Sequence, residues 1–132
     1  YLDEKVFERQ IDFASIDVSF ISLKLIIPVL SKINTSDNHC VVALIKPQFE
    51  AGKDKVGKRG VVRDAKVHKE VIEEVCRFAI ACGYNINGLT YSPVKGPNGN
   101  IEYLVYLQYG LYSDFDFDNI TKVVEDSHNS LV

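Results

Sequence analysis

Three charged residues stand at the margins of apolar runs in this sequence. Asp17 closes DFASID, Lys46 follows CVVALI directly, and Glu102 is second in IEYLVYLQY. A charge beside a buried strand is costly unless it is paired or used. An amine set between two carboxylates suits abstraction of a proton from an alcohol, or the orientation of that alcohol as a nucleophile. The competing reading is an internal ion-pair network kept for structural reasons. Placement at strand ends, where a crevice would open, favours chemistry over mid-core pairing.

A second constellation is basic. Lys53, Lys55, Lys58, Arg59, Arg63, Lys66 and Lys69 crowd one stretch against only Asp54 and Asp64, and Gly52, Gly57 and Gly60 are interleaved with them. Flexible backbone carrying cations suits a phosphate backbone; the plain alternative is a solvated surface loop. Its direct attachment to the Lys46 strand end favours nucleic acid. Lys95 would add a phosphate contact, whereas Tyr91 reads better as packing than as a stacking platform. His39, His68 and His128 lie far apart in sequence and read as surface residues, with no metal site. Cys40, Cys76 and Cys82 are odd in number and lack C-x-x-C spacing, which suggests reduced thiols in a cytoplasmic protein.

These residues need elements to hold them. Residues 12–18 read as a short buried strand. Ser22 is a suitable N-cap for a helix over 22–33, in which Ile26, Val29, Leu30 and Ile33 recur at helical spacing. Pro28 sits deeper than the first turn, so a kink or a later start is expected. Residues 34–38 (NTSDN) read as a polar loop. Residues 40–45 form a fully buried strand, closed by Lys46-Pro47 because proline cannot continue a central strand. After the loop over 50–63, Asp64 can cap a helix over 65–82 striped by Val67, Val71, Val75, Phe78 and Cys82, and Gly83 ends it.

The turn-rich KGPNGN segment joins strands over 86–94 and 101–109 as an antiparallel hairpin, since it leaves no room for a helical crossover. Because the second of these strands is apolar on both faces, it should lie inside the sheet. Asp114, Asp116 and Asp118 lead into a last helix over 119–131, where acids suit the helix dipole. The order is α/β, parallel at first, with one antiparallel strand. Ligands of such sheets bind outside the carboxyl ends of the strands, and an antiparallel strand begins at that same edge. Asp17, Lys46 and Glu102 are therefore expected to converge.

Composition sets the outer bounds. The sequence has 132 residues, 46% hydrophobic and 25% charged, with a formal net charge of −3, a single domain's worth of ordinary globular composition. No apolar run approaches the roughly 18 residues that span a bilayer, and no secretory signal pattern opens the sequence. It starts at Tyr1 and contains no methionine, as expected of a segment of a longer protein.

Four blocks carry a family resemblance: DVSFISL at 17–23, LIKPQFE at 44–50, VGKRGVVRD at 56–64 and SPVKGPNGNIEY at 92–103. They closely resemble the TlyA family, hemolysin A-type proteins that act as ribosomal RNA 2′-O-ribose methyltransferases with an FtsJ-like catalytic domain. The likeness runs from about Tyr1 through Leu107, and the tail from Gly110 is less distinctive. It implies a Rossmann-like, S-adenosylmethionine-dependent methyltransferase fold, of which these residues supply the later strands of a mostly parallel sheet, the reversed strand being 101–109. In the family's Lys-Asp-Lys-Glu tetrad, the Asp matches Asp17, the second Lys matches Lys46 and the Glu matches Glu102. The first Lys, the glycine-rich cofactor loop, the acid that holds the cofactor ribose and the small N-terminal RNA-binding domain have no counterpart in the sequence.

On this likeness the parent protein is expected to be a cytoplasmic enzyme acting on ribosomal RNA, and the fragment alone to be inactive. Asp17 would lie nearest the cofactor, while Lys53, Lys55, Lys58, Arg59, Arg63, Lys66 and Lys95 would meet RNA. The alternative is a non-catalytic RNA-binding or partner-docking module. The family's hemolysin label suggests membrane lysis, but the sequence has no spanning segment and its last helix is acidic, a poor match for an anionic bilayer.

Overall fold

The computed structural model describes residues 11–17, 22–30, 32, 35–110 and 114–131, with strands and helices interspersed. The order is β1 (Ile11–Ile16), α1 (Leu23–Leu30), β2 (Thr35–Ile45), α2 (Pro47–Glu50), α3 (Ala65–Ala81), β3 (Tyr84–Tyr91), β4 (Tyr103–Tyr109) and α4 (Asp118–Leu131). The sheet order is β1-β2-β4-β3. β1 pairs with β2 in parallel, and β4 runs antiparallel to both β2 and β3. β1, β2 and β3 therefore point one way and β4 alone is reversed. Because β4 lies between two of them, the sheet is less parallel in its pairings than the element order suggests.

Side-chain alternation explains why β4 takes the middle. Val41, Ala43 and Ile45 of β2 are fully buried, as are Tyr103, Val105 and Leu107 of β4. Register sets Val41 opposite Leu107, Ala43 opposite Val105 and Ile45 opposite Tyr103. Cross-strand partners share a face, so these six form one continuous apolar surface. Each large aliphatic among them contributes about 1.5–3 kcal/mol by burial. Helix α3 packs against that layer and touches α1, α2, α4 and β3. The opposite face is more open: Phe13 and Tyr106 are exposed, and Val42, Leu44 and Leu104 are half-buried.

Several local expectations are corrected. Residues 35–38 belong to β2 rather than to a loop. Asp37 and Asn38 are both exposed, in keeping with their polarity, and a register shift against β1 between Ile11 and Phe13 absorbs the extra residues. Helix α1 starts at Leu23 and contains Pro28. Ile33, expected in that helix, lies outside the described residues, as does Val18 of the first strand. Asp64 caps α3 as its sequence suggests, its carboxylate accepting from Lys66 N–H at 2.9 Å. Gly83 follows the helix at φ +98°, a conformation that favours glycine.

The histidines are the largest correction. His39 and His68 are buried, not on the surface. His39 Nε2 lies 2.6 Å from the Tyr84 hydroxyl, and its ring stacks on Tyr109. His68 falls on a line with Ile72, Cys76 and Ala79, so the buried face of α3 is wider than the valine stripe alone. His68 and His128 also meet, Nδ1 to Nε2, at 2.9 Å.

Candidate active site

Two neighbouring parallel strands deliver the first pair of charges. Ile16 pairs with Ala43 at the end of the β1–β2 ladder, and Asp17 follows at once. Lys46 follows β2, and Pro47 then turns the chain into α2. Proline suits that first helical position, where no N–H is needed. Lys46 O accepts from Phe49 N–H at 2.9 Å and from Glu50 N–H at 3.2 Å, which fixes the lysine backbone. Its ammonium forms an ion pair with Asp17 Oδ1. The lysine side chain is 10% exposed and that of Asp17 66% exposed. The cation is covered, while its acid partner faces outward.

Glu102 arrives from the other direction. Lys46 and Glu102 lie one step beyond the Ile45–Tyr103 pair, so the antiparallel register sets them opposite one another. Both are buried. No ion pair joins them within 4.0 Å; Glu102 Oε2 instead accepts from Gln48 Nε2 at 3.0 Å. Gln48 Oε1 is buried without a hydrogen-bond partner, an open acceptor beside the carboxylate. Gly96 lies directly over Glu102: a Cβ there would come within 2.5 Å of the carboxylate carbon and 2.9 Å of Oε1. Glycine is needed here for close approach, its φ of −77° being ordinary.

Glu50, at the end of α2, ties the loop after Lys46 to the start of α1. Its carboxylate accepts from Ser22 Oγ–H at 2.6 Å and from Leu23 N–H at 2.8 Å. Ser22 Oγ in turn accepts from Lys24 N–H at 3.0 Å. The first turn of α1 is thus capped from within and from a distant segment together. Burial raises the Glu50 pKa above its ordinary value, and the bonds from Leu23 and Ser22 only partly oppose this.

The basic loop and the hairpin loop form one unit. Asn100 is buried; its Oδ1 accepts from Val62 N–H at 3.0 Å, and its Nδ2 donates to Gly60 O at 3.0 Å and to Pro97 O at 3.1 Å. Asn98 Nδ2 donates to Arg59 O at 2.9 Å. Arg59 and Asn98 occupy the left-handed region at φ 62° and 60°, so each loop places a left-handed turn against the other. Lys53, Lys55, Lys58, Arg59, Arg63, Lys66 and Lys95 are all exposed, and Lys55 is paired with Glu70 at 3.5 Å. Tyr91 packs rather than projects, its hydroxyl donating to Ser130 Oγ at 3.1 Å.

Under this unit, His68 Nε2 lies 2.8 Å from Val62 O, and its Nδ1 2.9 Å from the Tyr103 hydroxyl. A ring N–H must face the carbonyl, so neutral His68 carries its proton on Nε2 and accepts at Nδ1. Burial lowers the pKa of His68, and to a lesser burial that of His128. Neither ring touches the Asp17–Lys46 pair, and no group of metal-ligating side chains occurs among the described residues.

Gln48, Glu50 and Asn100 were not singled out as functional in the sequence. Their signal was position: Gln48 and Glu50 lie within LIKPQFE and Asn100 within SPVKGPNGNIEY.

Comparison with known proteins gives this edge a context. The model of the FtsJ-like methyltransferases matches residues 1–109. A Bacillus subtilis protein, YqxC, provisionally named an rRNA methyltransferase, is 46% identical over 124 residues, covering 91% of this chain and 44% of its own length. The 16S/23S rRNA (cytidine-2′-O)-methyltransferase TlyA of Mycobacterium tuberculosis is 39% identical over 99 residues, covering 75% of this chain and 37% of its own. A solved structure from Streptococcus thermophilus, provisionally titled a hemolysin, superposes with a TM-score of 0.92 at 43% identity, over 98% of this chain and 47% of that one. The chain therefore spans less than half the length of these relatives. Among the described residues no helix is long and apolar enough to cross a membrane.

Proposed function

The chain belongs to the FtsJ-like methyltransferase family, and from that premise we propose that it carries the catalytic edge of a ribosomal RNA 2′-O-methyltransferase. In this reading the residues form the later part of the methyltransferase domain. The observation that carries the proposal is the covered Lys46 ammonium, paired with Asp17 across two parallel strands and set opposite Glu102 by register.

S-adenosylmethionine, when bound, supplies an electrophilic sulfonium methyl. The residues suit the methionine end of such a cofactor, because Asp17 presents an outward carboxylate to a cationic ligand while one oxygen remains on Lys46. As the ammonium, Lys46 orients the ribose 2′-hydroxyl by donating to its oxygen; only after giving up its own proton, as the neutral amine, would it take the hydroxyl proton while the oxygen attacks the methyl group. Glu102 balances the charge of Lys46 from the neighbouring strand and is itself fixed by Gln48 and by the lid of Gly96. Most of the acceleration comes from positioning and fixed electrostatics. The exposed cations of the basic loop, with Lys95, hold the RNA backbone. An rRNA substrate puts the enzyme in the cytoplasm.

The test is Lys46→Ala in the intact natural protein, with methyl transfer and RNA affinity measured side by side. Transfer is expected to fall by roughly 10²–10⁴-fold, the range for a positioned acid–base group, while RNA affinity changes little. Equal transfer by variant and wild type would remove Lys46 from this role.

A further inference from the structure

The stitched loops do not close completely on each other. Between them lies a cavity of about 200 Å³ bordered by Arg63, Lys95, Gly99, Ile101, His68 and His128. At about 30 Å³ per water, it has room for roughly six waters. Its two formally charged side chains are both cationic, and neither has an ion-pair partner within 4.0 Å among the described residues. The nearest carboxylate in sequence, Asp64, is engaged in capping α3. Val62 O, at the cavity lining, is bonded to His68 Nε2 at 2.8 Å.

We propose that this cavity seats a single phosphate of the RNA backbone, held jointly by Arg63 and Lys95. The proposal rests on the RNA methyltransferase reading above and goes further, by separating one defined socket from a diffuse basic loop. Arg63 supplies a planar fork matched to two phosphate oxygens, and Lys95 supplies a point charge from the facing loop. Their loops are held in mutual register by Asn98 and Asn100. Lys53, Lys58 and Arg59, exposed and outside the cavity, add diffuse contacts along the RNA backbone.

Convergence on one phosphate has a countable signature. The salt dependence of single-stranded RNA binding changes by about 0.7 in log–log slope for each phosphate neutralised. Arg63→Gln, Lys95→Gln and the double variant are made in the intact natural protein, and binding of a mixed-sequence RNA oligonucleotide is titrated across salt. A shared socket predicts that each single variant loses at most about 0.7 of slope and that the double variant also loses about 0.7. A double variant that loses about 1.4 would mean two separate phosphates and would overturn the proposal. An unchanged slope in the double variant, with wild type binding RNA normally, would overturn it while leaving the methyltransferase reading intact. Wild-type protein that binds no RNA would overturn both. Thermal unfolding monitored in parallel is expected to be unchanged, since neither side chain has an ion-pair partner among the described residues.

Discussion

Replacing Glu50 tests the tie between the segment that follows Lys46 and the start of α1. Glu50→Ala removes the acceptor of Ser22 Oγ–H and of Leu23 N–H, bonded at 2.6 and 2.8 Å. A buried donor left without its acceptor costs about 1–3 kcal/mol. The site is only partly buried, so water recovers some of that, and the charge no longer has to be desolvated. Ser22 Oγ still accepts from Lys24 N–H, so part of the cap survives. The net expectation is a loss of about 2 kcal/mol, at the upper end for a helix cap. It is read as a lower urea midpoint with unchanged slope, together with faster amide exchange at Leu23.

Glu50→Gln separates the acceptor from the charge. Its carbonyl can accept from Leu23 N–H while its amide donates to Ser22 Oγ, so the loss should stay below about 1 kcal/mol. The folded protein holds the Glu50 proton above its ordinary value of 4.5. In that window the folded state binds more protons than the unfolded state, so stability falls as pH rises from about 4.5 through the raised value. The Gln variant lacks this slope. A Glu50→Ala protein within about 0.5 kcal/mol of wild type, or a Gln variant as damaged as the Ala variant, would refute the reasoning.

Three other outcomes follow from the same geometry. Gly96→Ala should fold, because the atoms met by the new Cβ belong to the movable end of Glu102; displacing that carboxylate should cut methyl transfer with little change in melting. Asn100→Ala should cost about 3 kcal/mol, since a buried amide bridging Val62, Gly60 and Pro97 is lost, and the Val62 amide should exchange faster. The His68 contribution to stability should be lost as pH drops below about 6.5, because burial depresses the His68 pKa and the unfolded chain binds the proton more readily. His68→Gln should flatten that slope in urea unfolding measured between neutral and mildly acidic pH, and an unflattened slope would acquit His68.

Local signals were legible in the sequence where one residue decides the outcome. Asp64 as a cap, Gly83 as a stop, Pro47 as the end of β2 and KGPNGN as a hairpin connection all follow from backbone chemistry within a few positions. The central place of β4 was also readable, since apolar residues on both faces demand neighbours on both sides. What escaped depended on distant partners. Residues 35–38 look like a loop until Thr35 is seen to pair with Ile11 of β1. His68 looks polar until Val62 O and Tyr103 are seen to meet its ring nitrogens. At the candidate site, the residue types and strand ends pointed to Asp17, Lys46 and Glu102, but the Gln48 bond to Glu102 spans 54 positions. No periodicity reports such a bond.

The reversed central strand has a consequence for how the chain assembles as it leaves the ribosome. β2 and β3 flank β4 and share no ladder with each other, so emergence of residues 84–91 cannot extend the nascent sheet. Two unsatisfied strand edges must wait for residues 103–109, which then close both seams in one event. A stop codon placed before Tyr103 would therefore release a polypeptide with open edges prone to pairing with other molecules, whereas one placed after Tyr109 would spare the sheet.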